Sequence, residues 1–528
     1  MTFQDTQVND ARTLPELLDR AAEARPDVVA LSYPEGRVTY RELADRTMAL
    51  ACRLLGAGVE RGDRVGLLLP GSIDGFALVL ATLRVGAIAV PVNARYKARE
   101  LEYVVRHAGM RLLVAEASSL PLLEEAGILD LCRVVIGIDD PGFVDGGASH
   151  ASGDVARIDR TVDSDDDALM LYTSGTTANP KGAVHRHLAL VWEGGAIAER
   201  LRLGPDDVFW TPLPFFHCGG IAVLAGAFAA QCTCCEIAQF DAGVALDQLE
   251  HDRVTVAFPA FETIWLAVLN HPRFDSADLS ALRLVVNVGV PSTLRRMQER
   301  VHWAPQISCY GSTETFAFAC QGVADDSLEQ RTTTSGKTLR GIEIRAVDPD
   351  TGAPLGPGEV GELVMRGPTR FVRYHDDPAA TANAIDAEGW FHSGDLGRVD
   401  EEGRVSFVSR LKDMLKVGGE NVAAAEVEGY LVEHPSVLIA QVVGVPDARY
   451  VEVPAAFIQL VPGAEATEQE LVDFCRGKIA TFKVPRYVRF VEDWPMSGTK
   501  IQKFRLRQLL IDELERLGVT EAPKIMSR

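Results

Sequence analysis

From Leu171 to Gly182 the chain reads LYTSGTTANPKG. Hydroxyls at Thr173, Ser174, Thr176 and Thr177 surround Gly175, and Lys181 closes the stretch. Glycine lets backbone amides approach an anion, hydroxyls add donors, and lysine brings a mobile positive charge. After a strand-like apolar run, that is the chemistry of a phosphate cradle. The stretch lacks the Gly-Lys-Ser/Thr ending that puts a hydroxyl on magnesium in a P-loop, so a metal ligand must come from elsewhere. A surface Gly/Thr turn is the structural alternative.

SCYGSTET, Ser308 to Thr315, supplies candidates. Glu314 is a hard oxygen ligand beside the hydroxyls of Ser312 and Thr313, and Tyr310, next to Gly311, offers a flat face for a purine. The same residues could cap a helix. In GWFHSGDLG, Asp395 could accept two ribose hydroxyls, since a carboxylate is acceptor-only and bidentate; a turn aspartate is the plainer reading. In TPLPFFHCGG, His217 stands beside Phe215 and Phe216, where a lone histidine is more often a satisfied core residue.

Elements must position these groups. Thr39 and Glu42 have capping-box spacing, ahead of an apolar face through Ala44, Met48, Ala51 and Leu55 that ends at Gly56 and Gly58. RVGLLLP, RVTVAFPA and LRLVVNVGVP are short apolar runs separated by helix-length segments, as crossover units on a parallel sheet require. The Asp- and Gly-rich segment from Asp139 to Asp167 reads as a loop. After Gly341, turn-punctuated alternation predicts a compact antiparallel region. From Arg410 there is room for a small α/β domain, with a helix in NVAAAEVEGYLVEHP and strands in VLIAQVVGV and PAAFIQL.

The chain has 528 residues, 47% hydrophobic and 24% charged, with 53 basic against 74 acidic side chains and a net charge of −21. That is enough chain for more than one core. A polyphosphate must be held by local donors and metal rather than a general positive field, and nucleic acid is not an expected partner. Nine cysteines without a secretory leader suggest a cytoplasmic protein. CTCC, Cys232 to Cys235, is too tightly spaced for paired zinc ligands. GGIAVLAGAFAAQCTCC is short for a membrane span and reads as buried helix.

YTSGTTANPKG, YGSTE, HSGD, SRLKDMLKVGGENV and PMSGTKIQKF, in this order, make the chain resemble the adenylate-forming superfamily of acyl- and aryl-CoA synthetases, firefly luciferase and peptide-synthetase adenylation domains, over nearly all its length. The resemblance implies an α/β fold: a large N-terminal domain, 1–409, with doubly wound sheets and a small barrel-like region, a hinge at 410–412 on Lys412, and a small mobile α/β domain, 413–528. It implies that a carboxylate attacks the α-phosphate of magnesium-ATP and that CoA then takes the acyl group. Thr173, Ser174, Gly175, Thr176, Thr177 and Lys181 would surround the phosphates, with Glu314 on Mg2+ and Thr313 near the α-phosphate. Tyr310, Gly311 and the segment around Gly289 would lie near adenine, and Asp395 and Arg410 would take the ribose. Lys500 would bridge carboxylate and α-phosphate, and Gly418, Gly419 and Glu420 would form the thiol channel. Ala178, Ser409 and Thr499 stand where the family more often has glycine.

The resemblance makes His217, with Phe215 and Phe216, an aromatic gate to the acyl pocket, and Gly219, Gly220, Gly226, Phe258, Phe261 and Trp265 either outline that pocket or pack helices. No aspartate lies between Thr211 and Gly220 to pair a substrate ammonium, which argues against an amino acid. The expected activity is an acyl-CoA synthetase of fatty-acid or broader lipid metabolism, acting on a fatty, branched, aryl or fused-ring carboxylate. Transfer to a separate carrier protein, a luciferase-like oxidation and a non-catalytic nucleotide-binding scaffold are the alternatives. A homodimer is left open.

Overall fold

The computed structural model describes residues 11–148, 152–173, 180–411, 414–417, 420–497 and 500–525. Two seven-stranded sheets form the N-terminal part. The first runs Gln306–Ile307, Leu284–Val288, Val256–Phe261, Val208–Thr211, Thr233–Glu236, Val29–Tyr33, Gly36–Thr39, and is parallel except for its last hairpin. The second runs Arg373–Tyr374, Lys181–Arg186, Asp167–Thr173, Ile88–Pro91, Arg64–Leu68, Leu112–Ala115, Arg133–Ile136. Its Lys181 strand is antiparallel to both neighbours and the other pairs are parallel. Strands such as Ile88–Pro91 and Leu112–Ala115 are buried at every position, as helices covering both faces demand.

The helix Tyr40–Gly56 opens on the expected capping box: Glu42 N–H donates to Thr39 Oγ1 (3.3 Å) and Thr39 N–H to Glu42 Oε2 (2.8 Å). The segment expected to loop from Asp139 to Asp167 instead carries helices Pro141–Ala148 and Ser152–Asp159. Phe143 and Val155 explain the difference, since both are fully buried in the main core and anchor otherwise polar turns. The apolar run before Cys235 is helical only from Cys218 to Ala230. Gln231 ends it in the left-handed region (φ 56°), and Thr233–Glu236 enters the first sheet. Among the described residues no helix is long and apolar enough to cross a membrane.

After Gly341 comes the expected antiparallel region, four strands ordered Glu343–Val347, Gly361–Arg366, Phe391–Val399, Val405–Arg410. A last sheet follows: Glu420–Ala423, Met414–Val417, Val451–Leu460 and Val437–Asp447 in that order, with Tyr487–Phe490 parallel to Val451–Leu460. Its core, with Leu415, Val427, Val442, Ile458 and Leu471, is separate from the N-terminal clusters. The architecture is thus a large mixed-sheet N-terminal part and a smaller C-terminal α/β part.

Candidate active site

Thr173 and Lys181 are Cα partners at the open end of the second sheet. Ser174, Gly175, Thr176 and Thr177 lie outside the described residues, as does Ala178. The next strand over carries Tyr374, paired with Ala183. Lys181 Nζ sits 4.9 Å from the Tyr374 ring centroid, and the Tyr374 hydroxyl donates to Glu314 Oε1 at 2.8 Å. One aromatic side chain thereby ties the cradle lysine to the candidate metal ligand. Burial first, and the Glu314 carboxylate second, push the Tyr374 phenol pKa up, so the group stays a neutral donor.

Glu314 stands in a tight loop. Gly311 is required there, because a Cβ would collide with the Ala317 carbonyl. Ser312 N–H donates to Thr315 Oγ1 (2.8 Å), and Phe371 N–H donates to Glu314 O (2.7 Å). Phe316 (φ 52°) and Ala317 (φ 82°) both adopt left-handed backbone, costly for residues bearing a Cβ. Phe318 N–H then donates to Glu193 Oε1 (3.0 Å), a fully buried carboxyl whose pKa burial raises. The turn is therefore held from outside by Glu193 and Phe371. Thr313 Oγ1 lies 4.0 Å from Cys218 Sγ, which brings this loop to the start of the helix Cys218–Ala230.

Tyr310 is 8% exposed and stacks at 6.1 Å on Phe407. Its hydroxyl donates to Asp395 Oδ2 (2.8 Å), and Arg410 Nε lies 3.4 Å from Asp395 Oδ1. Asp395 and Arg410 are register partners across one strand pair, so the sheet itself sets that contact. Burial and the Asp395 charge push the Tyr310 phenol pKa up. A cleft of about 830 Å³ opens beside these groups, lined by Lys181, Tyr374, Tyr103, Glu362, His392 and Ser393. His392 Nδ1 lies 2.8 Å from Glu362 Oε2, and Gly394 N–H donates to Glu362 Oε1 (2.9 Å), which fixes the turn before Asp395.

At the candidate acyl segment, His217 precedes the helix Cys218–Ala230, its ring 5.1 Å from that of Phe216, whereas Phe215 is fully buried edge-on to Phe76 and is core rather than gate. Gly219 admits close packing: a Cβ would lie 2.5 Å from Leu213 Cδ1 and 3.5 Å from Phe258. Phe258 meets Phe318 edge-on at 4.9 Å, which joins this segment to the Glu314 loop. Phe261 is half-buried ahead of the helix Glu262–Leu269, and a Cβ on Gly289 would lie 2.8 Å from Glu262 Oε2. Trp265 is fully buried among Val285, Leu294 and Met297, which makes it core rather than pocket wall.

Lys500 begins the second strand of a hairpin, Met496–Ser497 with Lys500–Ile501. Glu420 pairs with Val417 at the base of the hairpin whose connection is Gly418 and Gly419; those two and Lys412 lie outside the described residues. Sequence reasoning missed Tyr374, Glu193, Glu362 and His392. Of these only His392 carried a signal, its place in HSGD; the others act through contacts that no local pattern announces.

Comparison with known proteins puts this geometry in context. The family described as AMP-binding enzyme matches residues 18–375, and the AMP-binding enzyme C-terminal domain matches residues 426–500. A putative acyl-CoA synthetase, YngI, of Bacillus subtilis is 35% identical over 95% of this chain and 97% of its own length. The 3-[(3aS,4S,7aS)-7a-methyl-1,5-dioxo-octahydro-1H-inden-4-yl]propanoyl:CoA ligase of Mycobacterium tuberculosis is 35% identical over 95% of this chain and all of its own. The ATP-bound crystal structure of MatB from Rhodopseudomonas palustris superposes with a TM-score of 0.84 at 29% identity, covering 95% of this chain and 99% of that one. With both family segments in order on one chain and the fold of an ATP-bound relative, this protein belongs to the AMP-binding, adenylate-forming enzymes of the acyl- and aryl-CoA ligase kind.

Proposed function

We propose that this ATP-dependent, acyl-adenylate-forming ligase activates a non-amino carboxylic acid and passes the acyl group to the thiol of CoA. The observation that carries the reading is Tyr374 joining Lys181 to Glu314, a cation and a carboxylate fixed on either side of one phenol at the mouth of the hairpin Thr173–Lys181. The substrate carboxylate, ionised above a pH of about 4, needs no protein base. Its oxygen attacks the α-phosphorus and pyrophosphate leaves. Lys181, Thr313 and the Thr173–Thr177 donors hold the phosphoryl oxygens as charge builds, and Lys500 bridges the attacking oxygen and the α-phosphate. Asp395 with Arg410 orients the ribose, while Tyr310, Gly311 and Gly289 flank adenine. Tyr310 also holds Asp395 in place.

The donor set fits magnesium. Among the described residues no group of three His, Cys, Asp or Glu could hold a metal alone, and Glu314 offers one hard oxygen beyond the Oε1 that Tyr374 engages. That suits Mg2+ shared with substrate phosphates, where it would neutralise oxygen charge. For the second step we assign Gly418, Gly419 and Glu420 to the thiol path and Lys412 to the hinge. The CoA thiolate attacks the acyl carbon and AMP leaves. A hinge close to 410–412 is supported by the antiparallel sheet ending at Arg410, itself still in the strand, and the last sheet starting at Met414. Nine free thiols suit a reducing cytoplasm.

Phe216, His217, Gly219 and Phe261 are assigned to the acyl group. The Mycobacterium tuberculosis relative is named for a fused-ring propanoyl substrate, which gives such acids a place beside fatty and aryl acids in a first screen. ATP–pyrophosphate exchange across that panel, followed by thioester formation with CoA against a holo-carrier protein, tests the proposal. Exchange with at least one acid and product with free CoA are expected. No exchange with any acid, or product with the carrier alone, overturns it.

A further inference from the structure

The helix Pro291–Arg300 starts two residues after Gly289, and one of its faces is spent on the C-terminal part of the chain. Ser292 Oγ donates to Gly429 O (3.1 Å), and one turn later Arg296 donates from Nη1 to Val437 O (3.2 Å) and from Nη2 to Leu438 O (3.0 Å). The strand Val437–Asp447 is the edge of its sheet, and its register with Val451–Leu460 slips between Val437 and Ile439. Carbonyls at such an edge lack ladder partners, and a guanidinium fork can satisfy two at once where an ammonium is a single point. Ile439, 5% exposed, is a member of the apolar cluster built on Trp265, Leu294 and Met297, with Leu438, Trp494 and Ile501 packed against it. A Cβ on Gly429 would come within 3.9 Å of Val290, so the two parts meet directly beside the Gly289 segment. Charged groups line the seam: Glu262 faces Arg296, and Lys503 Nζ lies 2.5 Å from Glu428 Oε1. Ile501 is the residue after Lys500 in the hairpin that carries it, and Lys503 opens the helix that follows.

We propose that Arg296 is a positioning residue for Lys500: by clamping the open edge at Val437 and Leu438 it registers the C-terminal sheet on the helix that follows Gly289, and so holds the Lys500 hairpin in the arrangement of this structure, which we assign to adenylation. The inference rests on the role given to Lys500 above. It also links nucleotide and domain position, because the helix docking the C-terminal sheet starts at the segment assigned to adenine. Ser292 assists, and the Arg296 fork sets the register.

The test uses the full-length enzyme with Arg296→Met, which keeps the stem and removes the fork, Arg296→Lys, which keeps the charge, Lys500→Ala, and the Arg296→Met/Lys500→Ala double variant. Rapid-quench adenylation and thioester formation from chemically prepared acyl-adenylate are measured separately, with small-angle scattering in a non-hydrolysable ATP analogue. Arg296→Met is expected to slow adenylation about tenfold, through loss of two hydrogen bonds from a charged donor, with thioester formation within about twofold of the parent and a more extended particle. Arg296→Lys falls between. In the double variant the Arg296 change adds nothing further, as for a residue acting only through Lys500. Equal losses in both half-reactions, or a fully additive double variant, overturn the proposal. If Lys500→Ala abolishes adenylation while Arg296→Met leaves it intact, the positioning role alone fails; if Lys500→Ala is itself harmless, the Lys500 reading fails. Should Arg296→Met not fold, Arg296→Lys with Ser292→Ala gives the same comparison.

Discussion

The nucleotide side and the acyl side of the site are built by different physics. Around Lys181, Glu314, Asp395 and Arg410, charges are pinned by named partners drawn from separate sheets: Tyr374 from the second sheet, Tyr310 from the short strand Cys309–Tyr310, Glu362 from the antiparallel region. Around His217 the surroundings are aromatic rings and a glycine, Phe216, Phe258 and Gly219, and what matters is the close packing that Gly219 allows. A charge-based site demands particular residue types, since only they hold a phosphate or a ribose. A shape-based site accepts many residue sets with the same outline.

That contrast breaks most visibly at Lys500. Lys500→Ala should cut adenylation by roughly two to three decades while leaving conversion of supplied acyl-adenylate to thioester intact, as separate rapid-quench assays would report. Equal loss in both steps would mean that the lysine serves something other than transition-state charge. Gly219→Ala probes the opposite side. Its Cβ must displace Leu213 and crowd Phe258, so kcat/KM for the bulkiest acids should fall roughly 10- to 50-fold relative to small ones, with the KM for ATP unchanged. A uniform loss across acids would assign Gly219 to folding alone.

Tyr374→Phe sharpens the comparison. The ring stays beneath Lys181 but the donor to Glu314 is gone, and the half-saturating magnesium concentration should rise about fivefold, on the order of 1 kcal/mol, with acid selectivity unaltered. The smallest effect concerns Glu262, next to Gly289. Its carboxyl pKa is raised to about 7, by burial first and by Glu428 across the seam second; Arg296, Lys503 and the Val290 N–H act in the other direction. The unfolded chain loses this proton from about pH 4.5 upward while the folded one keeps it to about pH 7, so the group costs stability progressively over that window and by a constant amount above it. Glu262→Gln should therefore flatten the pH dependence, with Tm at pH 8 rising by about 2–3 °C relative to pH 5 in calorimetric scans. An unchanged slope would show that Glu262 is ionised in the folded state throughout.

Much of the fold is legible in residue order. Short apolar strands separated by helix-length segments announce parallel crossover units, and the turn-punctuated alternation after Gly341 announces the antiparallel region. Composition misleads at Asp139–Asp167, where Asp and Gly suggest a loop but Phe143 and Val155 find a core to pack against and so sustain two helices. Burial of two side chains depends on what lies opposite them, and no local window contains that. Trp265, which the sequence leaves open between pocket wall and helix packing, is decided in the same way, since its neighbours are Leu294 and Met297.

The sequence by itself determined the reaction class, because the residues proposed as phosphate donors, the hard carboxylate proposed for the metal, the aspartate proposed for the ribose and the late lysine are types that few other residues can replace, and they occur in one order. Only the tertiary structure decided how those groups are held. Lys181 and Glu314 are separated by more than a hundred residues, and Tyr374 meets both only because its strand joins the edge of the second sheet. Arg296 meets Val437 and Leu438 only because a sheet edge, slipped in register, comes to rest on the helix after Gly289. Hydrogen bonds and packing between distant segments depend on angle and distance in space, which spacing along the chain does not encode.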